Sequence, residues 1–160
     1  MPNKHDRSPV EILMPSRQVS PCLFVSPHSG RYYPQQFLDQ TRLNKLDIRR
    51  SEDSFVEELF AAAPSHGAPL IQAVYPRAYI DLNRAADELD PRMFNGPLNE
   101  RVLKLSDRVK AGLGTIPKIV GTGLDIYAGQ IEAEDGLQRI HDIYHPFHSC
   151  LLYTSPSPRD

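Results

Sequence analysis

The ten residues Tyr75-Pro-Arg-Ala-Tyr-Ile-Asp-Leu-Asn-Arg84 set two guanidiniums, a carboxylate and an amide among apolar side chains. Guanidinium forks match carboxylates bidentately, so the chemistry on offer is the grip of a small, carboxylate-bearing molecule. A strand alternates its faces with period two. Read as a strand, the segment puts Arg77, Tyr79, Asp81 and Asn83 on one face and Ala78, Ile80 and Leu82 on the other. The second face suits a core, and the first needs water or partners, because unpaired buried polar groups are costly. Two readings fit: a ligand-gripping strand, and a half-exposed antiparallel strand with a solvated face.

His28 stands in the turn Pro27-His-Ser-Gly30, directly after the apolar run Cys22-Leu-Phe-Val-Ser26. Ligands of open α/β sheets sit beyond the C-terminal ends of strands, and neutral imidazole is the commonest metal-binding side chain. Taken alone, one histidine in a turn reads more simply as a hydrogen-bonded structural residue. Glu52 and Asp53 precede a helical pattern, where a carboxylate suits the helix N-terminus. The alternative is that one of them joins His28 on a metal. Catalytic zinc takes His nitrogen and carboxylate oxygen from three protein ligands and keeps a position open. His28 with one acid is one ligand short, and no other residue up to 149 supplies it. His145 and His148 form either a second zinc pair or, with Pro146 between them, surface and capping positions. His5 and His66 carry no signal.

The elements that must position these groups alternate in type. Residues 1–19 are polar and proline-broken, and read as a loose arm. Residues 22–26, between Pro21 and Pro27, read as a buried strand, and residues 69–75 as another. Ser54-Phe-Val-Glu57 has capping-box form, and Phe55, Val56, Leu59, Phe60 and Ala63 recur behind it at helical spacing until Pro64 and Gly67. Val102, Leu105, Val109 and Leu113 predict an amphipathic helix, and Ile116–Val120 a short strand. A further helix starts at Leu137, with Pro146 suited to the first position of another. Strands alternating with helices predict an α/β fold with a largely parallel sheet.

A net charge of −2 over 160 residues argues against a nucleic-acid partner, which needs a basic patch. No apolar run reaches the roughly 20 residues that span a bilayer, and no signal peptide is visible. Cys22 and Cys150 do not make a disulfide framework, so the expected setting is cytoplasmic and the expected partner a small molecule. Residues 150–160 resemble a translated sequencing-library adapter and are set aside from the fold.

Four motifs in order, Ser26-Pro-His-Ser-Gly30 with Tyr33-Pro34, Arg50-Ser-Glu-Asp-Ser-Phe-Val-Glu-Glu-Leu-Phe60, Pro76 to Arg84, and Arg139-Ile to Tyr144-His-Pro-Phe-His148, resemble the N-formylglutamate amidohydrolase family. The resemblance covers residues 20–149, the N-terminal part of one domain. It implies part of a three-layer α/β fold with a mostly parallel sheet, phosphorylase/hydrolase-like and similar to zinc-dependent exopeptidases. It implies zinc-dependent hydrolysis of N-formyl-L-glutamate, or a related N-acyl amino acid, to glutamate and formate, a late step of histidine breakdown. By the same resemblance His28 and Asp53 are metal ligands, with Glu52 as the fallback for Asp53. Arg77, Asn83 and Arg84 bind substrate, and Asp81 orients an arginine. The family's downstream Asp-x-His motif and its general base are expected beyond residue 149, so the fragment is expected to be inactive. A metal-free α/β module that binds acidic small molecules is the alternative from outside the enzymes.

Overall fold

The computed structural model describes residues 7–99 and 103–155. A three-stranded sheet lies beside the site. It contains β1 (Val10–Leu13), β2 (Phe24–Ser26) and β3 (Leu70–Ala73), in the order β1-β3-β2. In central β3 Leu70, Ile71 and Ala73 are buried, while Gln72 is half-buried and donates to Glu11 on β1. β2 runs parallel to β3, pairing Val25 with Ile71, whereas β1 runs antiparallel, pairing Ile12 with Ile71. Two short strands, β4 (Phe94–Asn95) and β5 (Ile131–Glu132), form a separate parallel pair. The sheets are therefore small and mixed rather than largely parallel. Residues 10–13 are not part of a loose arm: they pair along the β3 edge.

The helices are shorter than the apolar spacing predicts. α1 (Gln35–Gln40) follows Pro34, and α2 (Val56–Leu59) is a single turn. Ser54 does not cap α2. Phe55 takes the cap position with a left-handed φ of 67°, and the Ser54 hydroxyl donates to Glu52 instead. α3 is confined to Asp107–Lys110, where Ser106 accepts from the Val109 amide, and Val102 lies outside the described residues. Ile116–Val120 forms no strand, contributing only a bridge from Ile119 to Asp125. The longest helical stretch runs through α4 (Ala133–Arg139), a π-helical turn (Ile140–Tyr144) and α5 (His145–Thr154). Pro146 explains the widened turn. It has no N–H to give and its ring crowds the preceding turn, so the His145 amide reaches back to the Ile140 carbonyl. Leu151 packs on the main core, so the helix continues into the residues set aside as adapter-like; residues 156–160 lie outside the described set.

Residues 75–84 are a chain of turns, not a strand. The Tyr79 and Ile80 amides both donate to the Pro76 carbonyl, at 2.9 and 3.2 Å, and the Asn83 amide donates to the Asp81 side chain at 2.9 Å. Tyr75, Ala78, Tyr79, Ile80 and Leu82 are all buried. Behind them sits Arg139, fully buried, its guanidinium 4.0 Å from the centre of the Tyr79 ring. It donates to the Tyr79 carbonyl, Tyr127 Oη, Gln40 Oε1 and Asp135 Oδ2. One side chain thereby ties α4 to α1 and to the turn that carries Arg77 and Asp81. Among the described residues no helix is long and apolar enough to cross a membrane.

Candidate active site

β2 and β3 are parallel, and the chain leaves both at the same end of the sheet. His28 follows β2 by two residues and the Tyr75–Arg84 turns follow β3, so both arrive where α/β sheets hold ligands. Gly30 allows their contact: a Cβ there would collide with the Tyr75 carbonyl oxygen. The Tyr32 amide donates to the Val74 carbonyl at 3.0 Å, and the Asp53 amide to the His28 carbonyl at 3.1 Å. Three separate segments are thus fixed backbone to backbone before any side chain is considered.

His28 is 6 % exposed and engaged on both ring nitrogens. Nε2 lies 2.7 Å from Asp81 Oδ1, and Nδ1 lies 3.2 Å from Asp53 Oδ2. Burial pushes the Asp81 carboxyl up, but the hydrogen bond and charge of His28, then Arg77 and the Asn83 amide, bring it below the ordinary carboxylate range. An ionised Asp81 fixes the tautomer by holding the proton on Nε2. In the neutral imidazole the Nδ1 lone pair then faces a carboxylate oxygen, and in the imidazolium an N–H does. Two acceptors at that separation repel unless a proton or a cation lies between them. Asp53 is half exposed, so the pair opens to solvent. This donor set, an imidazole nitrogen and a carboxylate oxygen with a carboxylate behind the imidazole, fits zinc. It supplies two donors; among the described residues no group of three potential ligands is present.

Glu52 has a different role from Asp53. Its side chain is 1 % exposed and accepts from Tyr33 Oη at 2.6 Å, from Arg49 and from Ser54. Burial and the Glu52 bond raise the Tyr33 hydroxyl well above its usual range, so it remains a donor. Glu52 is consumed in holding α1 to the turn before α2.

The turn geometry brings Arg77, Asp81 and Arg84 to one side, which strict strand alternation would not. Arg77 Nε donates to Asp81 Oδ2 at 3.0 Å, and Arg84 Nε stands 3.8 Å from the same oxygen. Asn83 is exposed, with its backbone rather than its side chain bonded to Asp81. A cavity of about 180 Å³ opens here, lined by Asp53, Arg77 and Asp81 together with Leu113, Pro117 and Ile119. It is smaller than the roughly 300–1,000 Å³ of drug-sized sites, a volume suited to an amino-acid derivative. The sequence pattern put Leu113 at the end of a helix and Pro117 and Ile119 in a strand, whereas irregular turns carry them to the cavity. His145 and His148 lie on α5, where His148 stacks on Tyr144 and bonds its carbonyl. The Tyr144 hydroxyl donates to the Arg84 carbonyl, so that helix braces the site from outside.

The N-formylglutamate amidohydrolase family model matches residues 20–154. The crystal structure of N-formylglutamate amidohydrolase from Ralstonia eutropha JMP134 is 31 % identical to this chain, with a TM-score of 0.85 over 93 % of it. The chain covers 52 % of that structure, about half its length. No curated protein matches the chain.

Proposed function

The chain belongs to the N-formylglutamate amidohydrolase family, and from that premise we propose that its site serves hydrolysis of the formyl amide of N-formyl-L-glutamate, or a close N-acyl amino acid, to the free amino acid and formate. The observation that carries this reading is the facing pair His28 Nδ1 and Asp53 Oδ2, 3.2 Å apart, with Nε2 committed to Asp81. His28 and Asp53 would hold zinc, which when bound supplies Lewis-acid polarisation of the formyl carbonyl and a water of lowered pKa. Asp81 keeps the imidazole in one tautomer and one orientation. Arg77, with Asn83 and Arg84 of the same turn, offers the grip for substrate carboxylate, which sets the formyl carbon toward the His28–Asp53 pair. Leu113, Pro117 and Ile119 add apolar surface to the cavity lining. The carboxylate that passes a proton to the leaving amine and a third zinc ligand are assigned to the part of the related structure that this chain does not span. These 160 residues alone are therefore proposed to bind zinc weakly and to turn over poorly, in a fold of the zinc-exopeptidase kind and a cytoplasmic setting.

Zinc titration against a chromophoric chelator tests this, run on the chain alone and on the chain joined to the second half of the related enzyme, with formate release measured alongside. The expected result is weak binding by the chain, tight stoichiometric binding by the joined protein, and loss of both zinc and formate release in Asp53→Ala with folding intact. Tight stoichiometric zinc on the chain alone overturns the two-donor reading. A second reading, a metal-free module for acidic molecules, draws on Arg50 and Arg77 lining the cavity. Ligand binding that Asp53→Ala and zinc leave unchanged would favour it.

A further inference from the structure

The cations lining the 180 Å³ cavity are Arg50 and Arg77. Arg50 comes from the 3-10 turn Ile48–Ser51, outside the segment whose pattern suggests a carboxylate grip. The two are built alike. Arg77 is held through Nε to Asp81 at 3.0 Å, and Arg50 through Nε to Asp47 Oδ1 at 2.8 Å. In both cases the tether uses the inner nitrogen, and among the described residues no bond is made by the terminal nitrogens. Asp47 is itself fixed: its other oxygen accepts from Asn44 Nδ2 at 2.7 Å, and its carbonyl from the Arg50 amide at 3.2 Å. The Gly121 amide donates to Ser51 Oγ at 3.2 Å, closing the facing loop onto the Arg50 backbone. An arginine immobilised in this way has already lost the rotamer freedom that binding would otherwise take.

Resting on the hydrolase reading above, we propose that Arg50 is the specificity-determining residue for the side-chain carboxylate of the substrate, while Arg77 takes the α-carboxylate. Arg77 shares Asp81 with His28, the residue that engages the amide in the hydrolase reading, so Arg77 is assigned the carboxylate beside that amide. The α-carboxylate is the one adjacent to that amide. The side-chain carboxylate lies further along the molecule and falls to the second guanidinium of the same cavity. A substrate with a neutral side chain leaves Arg50, about half exposed at the cavity rim, without a carboxylate partner.

Calorimetric titration of the 160-residue chain in zinc-containing buffer, with N-formyl-L-glutamate and with N-formyl-L-glutamine, tests the assignment. The wild type is expected to prefer the acidic ligand by about tenfold to a hundredfold, the range of a charge-assisted pair. Arg50→Ala and the length-preserving Arg50→Gln are expected to bind the two ligands alike, at the wild-type affinity for the glutamine derivative. Arg77→Ala is expected to weaken both ligands together. Thermal melts confirm that the variants fold. A wild type without preference, or an Arg50→Ala that keeps the preference or weakens both ligands equally, overturns the proposal. The readout is binding, so it separates from the hydrolase reading. Preference lost in Arg50→Ala while the joined protein releases no formate supports Arg50 and fells only the hydrolysis, whereas formate release by the joined protein with preference intact in Arg50→Ala fells only Arg50.

Discussion

An ionised carboxylate offers about four lone-pair directions, and Asp81 spends them on His28 Nε2, the Asn83 amide and Arg77 Nε, with Arg84 Nε at longer range. It sets the imidazole tautomer and aims an arginine with the same group, so removing its charge tests both. Asp81→Asn keeps the shape but loses the anion that makes Nδ1 a good donor. Zinc affinity of the joined protein is expected to fall about 10- to 100-fold in chelator competition, with a smaller loss of ligand affinity through the loosened Arg77. Glu88 shows the same saturation away from the site. It accepts from Ser106 Oγ at 2.5 Å and from the Ala85 amide at 3.1 Å, and these bonds outweigh burial and hold its carboxyl below the usual range. A carboxyl lowered on folding binds fewer protons in the native state than in the unfolded one. Its contribution is therefore complete above the unfolded value of about 4.3 and is lost as pH falls through the folded value. Melting temperature measured from pH 6 to 3 should fall less steeply in Glu88→Gln than in the wild type. His28 and Asp53 were reached in the sequence through the family resemblance, because His28 alone reads as a structural turn residue and Asp53 stands beside Glu52 in a polar run; the structure brings their side chains to 3.2 Å. Arg50 was not singled out, being one of two consecutive arginines on a short exposed turn.

Whether a polar and apolar mixture becomes strand or turn depends on where its backbone groups find partners. Between Tyr75 and Arg84 the apolar residues are buried from several sides rather than one. Pro76 gives its carbonyl to two amides, and the Asp81 side chain closes the next turn. Alternation in the sequence was real but fell on turns, because Asp and Asn satisfy a bent backbone locally. The strand runs bounded by prolines, β2 and β3, were legible for the opposite reason: mostly apolar side chains, with only Ser26 and Gln72 polar in the strands themselves. β1 was not, since its Glu11 and flanking polar residues give no core signature and its pairing depends on β3 alone. α2 deviates because Phe55 is left-handed, a conformation rare for a bulky residue. What holds the turn in register is Arg139, whose four acceptors are Gln40 of α1, Asp135 of its own helix, the Tyr127 hydroxyl and the Tyr79 carbonyl. Arg139→Met keeps the volume but strands those acceptors. Breaking a buried ionic network from one side costs about 3 kcal/mol or more, to be read in denaturant unfolding. Arg139→Lys, a point charge that reaches fewer partners, is expected to fall between.

At the scale of the molecule, the site lies at one margin of a small sheet. β2, which delivers His28, hydrogen-bonds to β3 on one side only among the described residues. Val25 on it is 39 % exposed and Ile12 on the opposite edge 37 %, although Ile71 between them is fully buried. An edge with unpaired amides and a half-exposed β-branched side chain is a template for pairing with another chain. The two cysteines are both unpaired, so no covalent staple opposes such pairing. The chain is therefore expected to associate as its concentration rises, through β2 rather than through its charged surface. Val25→Lys tests this directly, because its ammonium reaches water while the stem covers the same apolar patch. In light scattering across a concentration series the variant should remain monomeric where the wild type does not. Its unfolding free energy should stay within about 0.5 kcal/mol, as for other exposed positions. Association undiminished by the lysine would move the sticky surface elsewhere, to Leu59, Phe60 and Phe55 around α2, which are also exposed.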